Sequence, residues 1–196
     1  VVPGRTDPDL LNEHIARYDF AKTLVGGRCV LDAGCGVGYG SERLARCASL
    51  VTAFDIALDP LFESRSTYGV MNVNECQGDC ARLPFLSGSF DVVVAFEAIE
   101  HLQDPGTFLE EATRVLLPSG QLIVSTPNRD YYAESRSEPN PFHVCEFSYA
   151  EFREKLEKYF EHVTFFFENH NNAITFTPLE VKGIRATLEP AVSKPE

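Results

Sequence analysis

The sequence predicts an α/β domain of the doubly wound kind, with seven strands in a mostly parallel sheet and helices on both faces. Three observations carry that prediction. Short apolar runs alternate with amphipathic segments from Arg28 to Ser125, the pattern of parallel strands joined by crossover helices. The first run ends in Asp32 and opens into Gly34-Cys35-Gly36-Val37-Gly38-Tyr39-Gly40, a glycine-rich turn before a helix start at Ser41-Glu42-Arg43-Leu44-Ala45. The second run, Leu50-Val51-Thr52-Ala53-Phe54, ends in Asp55, about 20 residues past the turn, where an acid lies beside the first loop.

Each element has a local reason. An amphipathic helix near 9–24 sits within an N-terminal cap, residues 1–26. Strands fall near 28–33, 50–54, 71–76, 91–95 and 121–126, and helices near 39–47, 58–68 and 105–117. Gly69 stops the second of these helices and Asp104-Pro105 starts the third, an acceptor side chain followed by a residue with preset φ. Residues 127–147 are polar, contain Pro127, Pro139 and Pro141, and read as a long loop of the kind that covers or lines a site. Ser148 with Glu151 forms a capping box for a helix at 148–159, whose charges make a solvated face of i,i+3 and i,i+4 pairs. Phe160 to Glu168 reads as a sixth strand, in which Phe165-Phe166-Phe167 supply buried faces rather than a base-stacking platform, and Ala173 to Thr177 as a seventh. The main domain is therefore expected over 27–187, with 188–196 as a fraying tail.

Composition narrows the class of partner. The 196 residues suffice for one well-buried domain, and the net charge of −12 argues against a nucleic-acid partner, whose phosphates demand a basic surface. No apolar run approaches the ~20 residues of a membrane span, and the opening residues do not read as a signal peptide. Six cysteines without C-x-x-C spacing read as reduced thiols in a cytoplasmic protein.

The turn itself selects the ligand. Glycines let a backbone enter strained turns and approach a ligand that a Cβ would exclude. Gly34, Gly36 and Gly38 run as G-x-G-x-G, whereas a dinucleotide fingerprint wants its third glycine where Tyr39 stands. Asp32 would repel a pyrophosphate and suits instead a cationic amino-acid end, while Asp55 suits a ribose diol. Val30 to Gly38 closely resembles motif I of the class I S-adenosylmethionine-dependent methyltransferases, whose fold is Rossmann-like. Gly78 to Phe85 resembles the family segment after the third strand, Ser89 to Ala95 its fourth strand, and Arg114 to Asn128 its fifth with the preceding turn, where Ser119 replaces the usual Gly. Asn12 to Tyr18 resembles the helix that covers the cofactor in many members. The resemblance implies S-adenosylmethionine as cofactor, contacted by Arg17, Tyr18, Asp32, Gly34, Cys35, Gly36, Gly38, Asp55, Ile56, Asp79, Cys80, Ala81, Phe96 and Glu97. Cys35 needs only to be small there, with no redox or nucleophilic duty.

Chemistry is expected at the carboxyl ends of the strands. After the fourth strand, Glu97, Glu100 and His101 stand at i, i+3 and i+4, which on a helical turn is one face. Such a face can hold a divalent cation, Mg²⁺, Mn²⁺ or Fe²⁺, through oxygen and nitrogen ligands, or His101 can act alone as general base on a hydroxyl with Glu100 beside it. The E-x-x-E-H arrangement resembles the O-methyltransferases of ubiquinone biosynthesis and the enzymes that methylate the 2′-hydroxyl of small RNAs. In the latter a further histidine follows strand five, which here implies His143 as a fourth ligand, although Cys145 and Phe147 depart from that motif. Asn12 to Tyr18 together with Asn140 to Phe147 also resemble small bacterial methyltransferases associated with polysaccharides and glycolipids. Expected functions are thus O-methylation of a small molecule or sugar hydroxyl, methylation of a nucleic-acid 2′-hydroxyl, or a non-catalytic module that only binds cofactor or partner. His14, His162 and His170 read as surface or packing residues.

Overall fold

A computed structural model describes residues 1–132, 141–169 and 174–178. Two compact units divide the chain, Val1–Tyr159 and Phe160–Glu196. In the first, β1 (Cys29–Ala33), β2 (Leu50–Asp55), β3 (Val73–Gln77), β4 (Phe90–Phe96) and β5 (Leu116–Ser125) form one parallel sheet in the order β3-β2-β1-β4-β5. Strand order reverses between β1 and β4, so a crevice opens at their carboxyl ends. The central strands are apolar without alternation because both faces are covered: Val30, Leu31, Val51, Ala53, Phe54 and Val92 to Ala95 are fully buried.

The crossover helices are α2 (Tyr39–Ala45), α3 (Leu58–Thr67) and α4 (Pro105–Val115). The expected punctuation is present. Tyr68 caps α3 ahead of Gly69 at φ 51°, and the Asp104 carboxylate accepts from the Gly106 N–H at 2.9 Å to open α4. The helix before β1, α1 (Pro8–Lys22), starts from an Asp7-Pro8 signal that the expected span of 9–24 passed over. Its Tyr18 and Ala21 lie in the same buried cluster as Val30, Leu44, Val51 and Val92.

Two boundaries differ from expectation. The helix before β5 ends at Val115 rather than 117, because Leu116 pairs with Phe90 while Gln121 pairs with Val92, and the intervening residues bulge out of the ladder. The segment after β5 is not wholly loop: Arg129–Tyr132 forms a helical turn, α5, and Asn128 bridges to Phe147. Helix α6 (Tyr149–Glu157) carries the expected capping box and the pairs Arg153–Glu157 and Lys158–Glu154 on its exposed face.

In the second unit, β6 (Phe166–Asn169) and β7 (Thr175–Pro178) form an antiparallel two-stranded ribbon. The single sheet of seven strands is therefore corrected, among the described residues, to a five-stranded parallel sheet and this ribbon. Each ribbon strand satisfies its ladder in the other. Phe166 is partly buried whereas Phe167 points outward, so the aromatic run does not bury both of its faces. His170, Ala173 and the tail from 188 lie outside the described residues.

Candidate active site

The turn after β1 is built on left-handed glycines. Gly34, Gly36 and Gly38 have φ of 80°, 53° and 77°, conformations that a side chain would strain. The N–H groups of Gly34 and Cys35 both donate to the Phe54 carbonyl, which ties the turn to β2. A Cβ on Gly36 would meet nothing within 4 Å, so the turn faces open space, as a ligand cradle requires. At the end of β2, Asp55 accepts from the Gly36 N–H at 2.8 Å with one oxygen and from the Ala57 N–H at 2.9 Å with the other. Its carboxylate is held rigid while keeping further lone pairs for a diol. Ile56 beside it is exposed. Exposed Asp79 caps its own loop through the Ala81 N–H, with Cys80 between them.

Asp32 lies beneath this turn, fully buried, and its two oxygens accept from the Tyr18 hydroxyl at 3.1 Å and the Ser41 hydroxyl at 2.6 Å. Two neutral donors do not replace water around an anion. Burial pushes the Asp32 carboxyl up to about 6, although both hydroxyls pull it down and the Asp55 charge adds to the rise. An ammonium group in the cradle would supply the missing opposite charge. Burial also raises the thiols, Cys80 to about 12 and Cys35 well above its ordinary range, so neither is a thiolate nucleophile near neutral pH.

Helix α1 supplies the side wall. The rings of Tyr18, Tyr39 and Phe96 meet edge to face, at 5.7 Å and 5.0 Å between centroids. Buried Arg17 lies 3.5 Å from Glu97 and 3.9 Å from Glu13, so its guanidinium sits between two carboxylates. His14 contacts the Tyr39 hydroxyl at 3.2 Å, and its pKa is lowered to about 3 by burial and by the Arg17 charge, so it packs as a neutral ring.

The chain leaves β4 through a strained step. Glu97 has φ 49°, the one left-handed non-glycine among the described residues, and a three-residue 3₁₀ turn follows at Ile99–His101. This overturns the expected shared helical face. Reversed backbone at Glu97 directs its carboxylate to the Ser125 hydroxyl at 2.7 Å and to Arg17, away from any cluster with His101. The remaining three of the expected ligands do come together. One ligand atom from each of Glu100, His101 and His143 lies within 4.8 Å of the others.

What assembles that trio is the return of the chain over the 3₁₀ turn. The N–H groups of Val144 and Cys145 both donate to the Glu100 carbonyl, at 2.9 and 3.1 Å. His101 Nδ1 stands 2.7 Å from the Phe142 carbonyl, which can only accept, so Nδ1 carries the proton and Nε2 is the basic nitrogen of the neutral ring. The His143 ring lies 5.1 Å from that of His101, with its Nδ1 on the Glu146 carboxylate. Glu100 is fully buried, and neither of its carboxylate oxygens has a hydrogen-bond partner among the described residues. Its pKa rises to about 8, chiefly from burial and then from the Glu97 charge; the Thr126 hydroxyl lowers it somewhat without bonding geometry to either oxygen.

Several residues with roles here were not singled out from the sequence: Tyr39 and Ser41 around Asp32, Ser125 on Glu97, Glu146 on His143, and the Phe142 carbonyl on His101. Only Glu146 carried a signal, as the acid three residues after His143. Of the other histidines, His14 is in packing and His162 is exposed, while His170 lies outside the described residues.

A parallel sheet reversing at β1/β4, a glycine cradle after β1 and acids at the ends of β1 and β2 together define a nucleoside-cofactor domain of the methyltransferase type. The chain belongs to the class I S-adenosylmethionine-dependent methyltransferases. Residues 31–124 match the family described as a methyltransferase domain. A probable S-adenosylmethionine-dependent methyltransferase of Mycolicibacterium smegmatis is 40% identical over 160 residues, 78% of this chain and 62% of that protein. A ubiquinone biosynthesis O-methyltransferase of Xanthomonas oryzae is 35% identical over 121 residues, 57% of this chain and 48% of the other. The chain thus spans about half to three fifths of these relatives' length. Among solved structures, a putative methyltransferase from Bacillus halodurans superposes with a TM-score of 0.65 at 28% identity, over 79% of this chain and 70% of that one.

Proposed function

We propose that this chain is an S-adenosylmethionine-dependent O-methyltransferase acting on a hydroxyl of a small molecule or a sugar. The observation that carries the reading is the trio of Glu100, His101 and His143 at the carboxyl end of β4, next to the cofactor cradle. A hydroxyl is a poor nucleophile until a base takes its proton or a cation lowers its pKa, and this trio offers both means. The name of the Xanthomonas relative, an O-methyltransferase, supports the same acceptor atom. The charge of −12 favours a small acceptor over a nucleic acid, and six free cysteines support a cytosolic setting.

The family's cofactor supplies an electrophilic methyl group on a cationic sulfur. The residues present suit it. Asp55 would take the ribose diol, Asp79 with Cys80 and Ala81 the adenine edge and Arg17 the carboxylate, and Asp32 would contribute negative charge toward the ammonium end. Phe96, Tyr18 and Tyr39 wall the methionine side and exclude water. The cofactor held there would supply its methyl group to the acceptor oxygen, whose proton must be taken up by the protein. His101 Nε2 takes up the hydroxyl proton. The alternative is a divalent cation, Mg²⁺, Mn²⁺ or Fe²⁺: the same trio would then hold it through one carboxylate and two imidazoles, with His101 as a ligand rather than the base and coordination positions open for a diol.

The test is methyl transfer from labelled S-adenosylmethionine to a panel of catechols, sugars, amines and oligonucleotides. Hydroxyl acceptors should be methylated, and His101→Ala should cut their rate about 10²-fold or more while cofactor affinity is retained. Equal loss of binding and turnover would make His101 structural. Preferential methylation of amines would overturn the assignment to oxygen.

A further inference from the structure

The trio is assembled by the segment Phe142–Glu146, and this segment sets more than position. Its two backbone donors grip the Glu100 carbonyl, its Phe142 carbonyl accepts from His101 Nδ1, and its Glu146 carboxylate accepts from His143 Nδ1. An imidazole has one proton to place when neutral, so an acceptor on Nδ1 leaves Nε2 as the basic or ligating nitrogen. The Phe142 carbonyl does this for His101. The corresponding acceptor for His143 is a side chain, hence open to substitution without disturbing the backbone. His143 is nearly buried, with 8% of its side chain exposed against 21% for Glu146, so water cannot freely replace that acceptor.

We propose that Glu146 is a positioning residue, which holds His143 as the Nδ1–H tautomer and so makes its Nε2 available to the Glu100–His101 pair; this rests on the reading of that trio as the proton- or metal-handling centre. In this role Glu146 acts through His143, whose ring it holds by the Nδ1 hydrogen bond. The same carboxylate explains why the segment turns back at 143–146: ring and acid sit three residues apart, and their hydrogen bond closes the turn.

The direct readout is the tautomer of His143, taken from long-range ¹H–¹⁵N correlation of the full chain with ¹⁵N-labelled histidine, assigned through His143→Asn. Wild type should show His143 protonated on Nδ1. Glu146→Ala should move it toward the Nε2–H form, and Glu146→Gln, whose amide oxygen can still accept, should restore the wild-type pattern. Titration with Mn²⁺ should weaken about 10- to 100-fold in Glu146→Ala and recover in Glu146→Gln, while binding of S-adenosylhomocysteine stays unchanged as the measure of intact fold. An unchanged His143 tautomer in Glu146→Ala would overturn the proposal, as would loss of S-adenosylhomocysteine binding in both variants, which would make Glu146 a folding residue. A tautomer that responds as expected in a protein lacking both Mn²⁺ affinity and methyl transfer would leave the positioning role standing and defeat the reading of the site. Methyl transfer to a hydroxyl with an indifferent His143 would do the reverse.

Discussion

Asp32→Asn should make the cofactor-free protein more stable at neutral pH and worse at binding its cofactor. Asp32 is fully buried, with only the Tyr18 and Ser41 hydroxyls as donors. Burial lifts its carboxyl from an ordinary 3.8 to about 6. Well below 3.8 it is protonated whether the chain is folded or unfolded, and its charge contributes nothing. As pH rises, the unfolded chain releases that proton first, so the native state loses stability between about 4 and about 6. Above that interval the ionised form costs about 3 kcal/mol relative to the protonated one. Asparagine keeps the shape and satisfies the same hydroxyls without a charge. The advantage of Asp32→Asn should therefore be near zero at about pH 3 and approach about 3 kcal/mol at pH 8, read from urea unfolding at a series of pH values. In calorimetry, S-adenosylhomocysteine should bind the variant at least about tenfold more weakly at pH 8, because the ligand's ammonium loses its counter-charge. Wild-type affinity should in turn weaken as pH falls through 6. A stability difference that does not vary with pH, or unaltered ligand affinity, would refute the assignment of a buried, cation-seeking anion to this position.

Asp55→Ala should weaken S-adenosylhomocysteine binding at least about tenfold by removing charge-assisted bonds to the ribose, while its circular dichroism stays that of a folded α/β chain; equal affinity would exclude Asp55 from the cofactor site. Gly40→Ala places a methyl group 2.0 Å from the Tyr18 ring, so it should lower stability by about 1–3 kcal/mol in thermal or urea unfolding and expel the Tyr18 hydroxyl from Asp32. Exhaustive chelation should stop methylation of diol acceptors and Mn²⁺ should restore it; full activity after chelation would leave His101 acting alone as base.

The strands, the crossover helices and the cofactor turn were readable from residues close together in the chain. Left-handed glycines, an acid ending an apolar run and a proline after an N-cap each express a backbone requirement satisfied within a few residues, and Gly34, Asp55 and Pro105 stand where those rules place them. Side-chain direction at the site was not readable that way. Spacing put Glu97 on a face with Glu100 and His101 because it assumed a regular helix, whereas the exit from β4 turns left-handed at Glu97 and its carboxylate goes to Ser125 and Arg17, 28 residues on in β5 and far back in α1. His143 was suggested by resemblance, but only the return of 142–146 over the 3₁₀ turn brings it to Glu100, through hydrogen bonds that span more than 40 residues of sequence. The partition of seven strands into a sheet and a ribbon was equally out of reach, since a strand's pattern says that it pairs and not with which partner. Sequence alone thus located the strands and crossover helices of the main sheet and pointed to the first turn as the place for a nucleoside cofactor. Tertiary structure decided which charges meet, because that depends on packing between segments whose contacts leave no local trace.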